Sequence, residues 1–70
     1  SWEKTWDIIY LYLKSENKPR CFNDISEYVL SRKRINKSTV RTAIDYSNET
    51  RFVHYKDSKI WLKEWWLWNI

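Results

Sequence analysis

The 70-residue chain has no glycine and no methionine, and only one proline, one cysteine and one histidine. Each shortage excludes something. Without glycine there is no phosphate-cradling loop of the nucleotide-binding type, which needs the backbone to approach the phosphates closely. Cys21 cannot form an internal disulfide, and Cys21 with His54 cannot complete a zinc site of three or four protein ligands. Cys21 reads instead as a small, partly buried thiol. His54 has no paired carboxylate motif around it and reads as an ordinary strand residue rather than an acid-base group. With no catalytic constellation, the domain itself is expected to be no enzyme and to take no cofactor, metal or small-molecule substrate. No apolar run approaches the ~20 residues of a bilayer span, and residues 1–4 lack a signal-peptide pattern. The expectation is therefore a cytoplasmic protein without a membrane partner, nucleoid-associated if bacterial. The absent initial methionine suggests that residues 1–70 are one domain excised from a longer protein, whose own activity would lie elsewhere.

Two features stand out in what remains. The formal charge of +4 is unevenly spread: residues 32–41 carry Arg32, Lys33, Arg34, Lys37 and Arg41 with no acid among them. Such a run is either an electrostatic footprint for a polyanion or a solvated basic turn. The second feature is the tail, residues 60–70, which holds four of the six tryptophans. Indole buries a large area at small entropic cost, so this density implies a core, a stacked ligand or an interface.

Periodicity gives the elements. Trp2, Trp6, Ile9, Tyr10 and Leu13 form the stripe of an amphipathic helix over residues 2–15. Pro19 ends it, because it has no amide donor and biases Lys18 away from helical angles, and residues 20–22 can run extended. Asn23 or Asp24 supplies a cap oxygen, with Glu27 completing a box-like pattern, for a second helix to about residue 31 that buries Ile25, Tyr28 and Val29. Asn36 or Ser38 can cap a third helix, residues 37–48, with Val40, Ala43 and Ile44 turned inward. Residues 51–55 and 60–63 are rich in aromatic and β-branched side chains and read as strands around a polar turn at 56–59. The predicted fold is α+β: a small winged helix-turn-helix, three helices followed by a C-terminal β-hairpin wing.

The segment from Arg51-Phe52-Val53 through Lys56-Asp57-Ser58-Lys59 to Leu62-Lys63-Glu64-Trp65-Trp66 resembles the end of the HARE-HTH winged-helix domain, a family that includes the amino-terminal domain of the bacterial RNA polymerase delta subunit. Phe52, Asp57, Leu62, Lys63, Glu64, Trp65 and Trp66 fit the family pattern without a gap. Lys18-Pro19, Phe22 and Ile25 extend the similarity more weakly upstream. Lys56 and Ser58 stand where that family has turn glycines, Ile60 where it has tryptophan, and Trp61 where it has glycine. A glycine-free turn needs another backbone solution. The resemblance implies a DNA-binding module of transcription, chromatin or restriction-modification proteins, with a sensitivity to DNA modification.

On that architecture, double-stranded DNA is the expected partner. Arg32, Lys33, Arg34, Lys37 and Arg41 stand at the mouth of the third helix to neutralise phosphates. Ser38, Thr39, Thr42 and Tyr46 lie on its outer face, where they reach bases or backbone or are plain exposed polar residues. Asp45 would repel phosphate, which puts the contact towards the start of the helix. Lys56 and Lys59 at the wing tip reach an adjacent groove or simply protect a hairpin edge. In the tail, strand alternation turns Ile60 and Leu62 inward and Trp61 outward, and Trp65 is the expected core residue, packing back on Trp6 and Ile9. Trp61, Trp66 and Trp68 exceed the needs of so small a core, so they are candidates for an interface with another protein or domain. The alternative function is accordingly a protein-interaction module docking through this tryptophan-rich surface.

Overall fold

The computed structural model describes residues 4–45, 51–54 and 58–68, with side chains of the last segment described to Trp65. The order is α1 (Thr5–Glu16), β1 (Arg20–Cys21), α2 (Phe22–Leu30), α3 (Lys37–Asp45), β2 (Phe52–His54), β3 (Lys59–Leu62) and α4 (Lys63–Trp68). Three helices and a wing hairpin stand as the periodicity predicts. Two elements are additional. The stretch after Pro19 is a true strand, β1, so the sheet has three strands in the order β1-β3-β2. The chain also coils again after β3, making α4 where the strand was expected to continue through Lys63.

α1 ends without glycine. Asn17 takes the left-handed conformation, φ 56°, and its N–H donates to the Leu13 carbonyl at 2.9 Å. Asparagine is among the few residues with a side chain that tolerate that position. The buried face of α1 is Thr5, Ile8, Ile9, Tyr12 and Leu13. This is the predicted stripe rotated slightly: Ile9 and Leu13 stay central, while Trp6 and Tyr10 pack at its margin. Leu11 stands outward, 59% exposed.

β1 pairs antiparallel with β3, Arg20 opposite Ile60 and Cys21 opposite Lys59. This pairing overrides the expected cap of α2. Because the ladder holds Arg20 and Cys21 extended, the helix starts directly from the strand, with Cys21 as N-cap and no side-chain cap bond. Asp24 falls in the first turn, where its charge favours the helix dipole, and pairs with Arg20 at 3.3 Å. α2 buries Ile25, Ser26 and Val29. Tyr28, expected inside, is half-buried and stacks on Tyr12 with centroids 4.3 Å apart.

α3 is capped by Asn36, whose Oδ1 accepts from the Thr39 N–H at 3.0 Å. Val40, Ala43 and Ile44 are its buried face, as the spacing requires. The described part of α3 ends at Asp45, and residues 46–48 of the expected helix lie outside the described residues.

The wing hairpin pairs Phe52 with Leu62, Val53 with Trp61 and His54 with Ile60. Ile60 and Leu62 are buried in the core with Phe52, Ile9, Leu13, Ile25, Val29 and Val40. Residues 55–57 of the turn lie outside the described residues, but Ser58 is described and has φ 65°. A serine thus holds the left-handed position for which a hairpin ordinarily uses glycine or asparagine.

α4 is fastened back onto α1. The Lys63 N–H donates to the Arg51 carbonyl at 2.7 Å. Glu64 accepts from the Tyr10 hydroxyl at 2.6 Å and from Lys14 Nζ at 2.9 Å. These two bonds, the Tyr10 bond first, hold the Glu64 carboxyl below its ordinary pKa, and the same contacts raise Tyr10 and Lys14 above theirs.

Two outcomes follow from these local devices. Asn36→Ala should lower stability by about 0.5–2 kcal/mol in chemical denaturation, the usual cost of losing an N-cap oxygen. Glu64 contributes stability above the unfolded carboxylate value, about 4.3, and loses it as pH falls through its lowered folded value. The melting temperature of Glu64→Gln should therefore lie below the parent's at neutral pH, with the two profiles converging as the solution is acidified. Tyr10 and Lys14 work in the opposite sense, so on the alkaline side the parent's advantage should fade as pH rises above about 10.

Candidate nucleic-acid interface

With Val40, Ala43 and Ile44 buried, the opposite side of α3 presents Lys37, Ser38, Thr39, Arg41 and Thr42 to solvent. Its hydroxyls are already ordered. Thr42 Oγ1 donates to the Ser38 carbonyl at 2.9 Å. Ser38 Oγ and Thr39 Oγ1 point to Asn36 Oδ1 at 2.6 and 2.9 Å, in addition to the capping N–H of Thr39. An amide oxygen has two lone pairs, so three donors oversubscribe it. One of the two hydroxyl protons can therefore turn outward at little cost, while Thr42 presents acceptor lone pairs and a methyl group.

The basic turn is wound onto the end of α2. The N–H groups of Arg32 and Lys33 both donate to the Val29 carbonyl at 2.9 Å, and Ile35 packs against the core. Arg32 and Arg34 are exposed and Lys33 is half-buried. Two arginines rest on aromatic rings of α2: Arg32 lies 4.5 Å from the Tyr28 centroid and Arg41 lies 4.1 Å from the Phe22 centroid. Lys37 Nζ stands 3.4 Å from Asn23 Oδ1, in the first turn of α2. The predicted cations of the turn and of α3 are thus brought to the flanks of one helix pair. At the far end of α3, Asp45 is engaged by His54 Nε2 at 3.0 Å, which ties the single acid of that helix to β2.

Lys59 is exposed at the start of β3, beside Cys21 in the register, and lines an open cleft of about 140 Å³ with Lys18, Pro19, Arg20, Cys21 and Asp24. Tyr46 and Lys56 lie outside the described residues, so their expected contacts have no placement here. Among the described residues no group of three or more His, Cys, Asp or Glu could hold a metal ion. No described helix is long and apolar enough to cross a membrane.

In the tail, Trp65 packs against the core and meets Trp61 edge-on, with centroids 6.3 Å apart and planes at 80°. Trp61 is half-buried on the strand face opposite Ile60 and Leu62. The backbones of Trp66 and Trp68 belong to α4, and their side chains lie outside the described residues. What the sequence reading did not find is the part played by α2. Phe22, Asn23 and Tyr28 support the cations, and only the spacing of Tyr28 and Arg32, one helical turn apart, was a usable signal.

No curated protein and no solved structure matches the chain. The family model of the TBPIP/Hop2 winged helix domain matches residues 4–61, from the N-cap of α1 to the middle of β3. This match shares the winged helix with the HARE-HTH resemblance but does not extend it to that family or to the polymerase delta subunit. Winged helices are as a class binding folds, most often for DNA. The match spans most of the chain and takes in the helix pair, the basic turn and the hairpin, and the chain belongs to the TBPIP/Hop2 winged helix domain family.

Proposed function

We propose that this domain binds double-stranded DNA, as a module of a larger DNA-processing or transcription protein, with α3 lying in the major groove. The observation that carries the reading is the outer face of α3. It gathers Lys37, Ser38, Thr39, Arg41 and Thr42 beside Arg32, Lys33 and Arg34, while its one acid, Asp45, is held by His54. A helix of this diameter fits the ~12 Å major groove, and phosphate contacts then fix its register while base-edge contacts specify. The cations of the turn and Arg41 take the phosphates. Ser38, Thr39 and Tyr46 reach base edges or backbone. Thr42, with its proton given to the Ser38 carbonyl, suits the amino group of adenine or cytosine, or the methyl of thymine. Lys56 and Lys59 place the wing over an adjacent groove.

A second reading, a protein partner on the tryptophan-rich side, is favoured by Trp61. It stands on the outer face of the sheet and is only half covered. Chemical-shift mapping separates the two, since DNA should perturb residues 32–46, whereas a protein interface should perturb the tail and ignore DNA.

Duplex titrations at several salt concentrations test the leading reading. Affinity should fall steeply with salt, and replacing Arg34 and Arg41 together by alanine should weaken binding and reduce the log–log salt slope by about 1.8, two phosphate contacts' worth. Absence of duplex binding at low salt, or a double variant that binds like the parent, rules the reading out.

A further inference from the structure

Four of the five arginines differ in whether a carboxylate holds them. Arg20 and Arg51 spend donors on carboxylates, Arg20 on Glu16 and Asp24 at 3.4 and 3.3 Å, and Arg51 on Asp7 at 2.7 Å while also lying 5.4 Å from the Tyr10 centroid. Arg32 and Arg41 make no ion pair among the described residues and lie instead over aromatic rings. The difference is chemical. Stacking uses the face of the guanidinium and leaves the in-plane fork of N–H donors open, whereas a carboxylate consumes that fork. An arginine stacked on a ring is therefore oriented yet still able to take a phosphate by two parallel bonds.

The rings beneath them are fixed. Phe22 is half-buried and packs against the core from the first turn of α2. Tyr28 stacks on buried Tyr12, whose centroid lies 4.3 Å away. Since Arg32 lies 4.5 Å over the same ring, Tyr12 and Arg32 must occupy its opposite faces, and the arginine is the outer layer of a stack rooted in α1. Both guanidinium groups are thus held by residues that do not belong to the basic segment at all.

We propose that Phe22 and Tyr28 are positioning residues for nucleic-acid binding: they hold Arg41 and Arg32 by their guanidinium faces and aim the open donor forks at the phosphates of a duplex. This rests on the DNA-binding reading and deepens it, by assigning a role to α2. Side-chain freedom that would otherwise be lost on association is lost on folding instead, so each contact is made at lower entropic cost.

The experiment is duplex binding across a salt series for the parent, Phe22→Leu, Arg41→Lys and the double variant. Each single change should weaken binding about two- to fivefold, the range of an exposed cation–π contact. The salt slope should stay at the parent's value, because no charge is removed. The double variant should bind no more weakly than the weaker single variant, since both remove one interaction. Phe22→Tyr should bind like the parent, and the ring-current shift of the Arg41 side-chain protons should vanish in Phe22→Leu. Arg41 is exposed, so Arg41→Lys keeps the test valid even if Phe22→Leu folds poorly. At the other platform, Arg32→Lys should weaken binding to a similar degree and Tyr28→Phe should not. If the parent binds duplex DNA and Phe22→Leu and Arg41→Lys both match it, or their effects add, the platform is refuted and the DNA reading survives. A parent that does not bind duplex DNA overturns both.

Discussion

The fold depends on β3 being paired on both sides. Its register sets Arg20 and Cys21 against Ile60 and Lys59 on one edge and residues 52–54 against 60–62 on the other. Alternation then sends Ile60 and Leu62 into the core, where they meet Ile9, Leu13, Ile25, Val29 and Val40. A slip of one residue would turn Trp61 inward and expose both aliphatic side chains, so burial fixes the register. The same ladder fixes where α2 begins, because the helix springs from the last residue of β1. The start of α2 in turn sets Phe22 beneath Arg41. Placement of the cations is thus a long-range consequence of strand pairing in a chain whose basic residues are clustered locally.

A glycine-free chain must still turn, and two of the described residues accept the strain. Asn17 closes α1 and Ser58 begins the return of the wing, both at positive φ. Asparagine reaches the left-handed region with modest penalty, while serine does so less often. The penalty at Ser58 is sustained because the strand that follows buries two aliphatic side chains and is bonded on both edges. Glycine would relax the turn, but it would also widen the conformations open to the unfolded chain. In a domain this small, restricting the unfolded chain supplements a limited core.

How much of this was legible in the sequence depended on the range of the interaction. The three helices, the Asn36 cap, the inward set Val40, Ala43 and Ile44, and the facing of Ile60 and Leu62 rest on periodicity and local hydrogen bonding, and the structure has them. The cap of α2 was misplaced because Asn23 and Asp24 offer the local chemistry, whereas Cys21 wins through pairing with a strand far along the chain. α4 was missed for the same reason: the indoles of the tail look like strand residues until Glu64 finds Tyr10 and Lys14, distant partners that hold the segment on α1. The basic and hydroxyl residues of α3 were legible as a candidate surface. Phe22 was not, since nothing local links it to Arg41. Tyr28 and Arg32 are one turn apart, a spacing that was visible but equally consistent with a core tyrosine.

Charge placement completes the logic. Asp7, Glu16, Asp24, Asp45 and Glu64 are matched to Arg51, Arg20, His54 and Lys14, and none of these partners comes from residues 32–41. Exposed ion pairs of this kind add little stability, typically about 0–1 kcal/mol each. Their larger effect is on the field. Residues 32–41 carry five basic residues and no acid, and none of these pairs brings an acid to them. The potential that would draw a polyanion is then focused where the exposed donors are, rather than spread over the surface. Asp45 sharpens this, because it is the one acid that α3 carries and its carboxylate is bonded to His54 on β2. The wing therefore meets the helix beside it through this bond, and a change at His54 would reach the Asp45 carboxylate without touching any residue of α3.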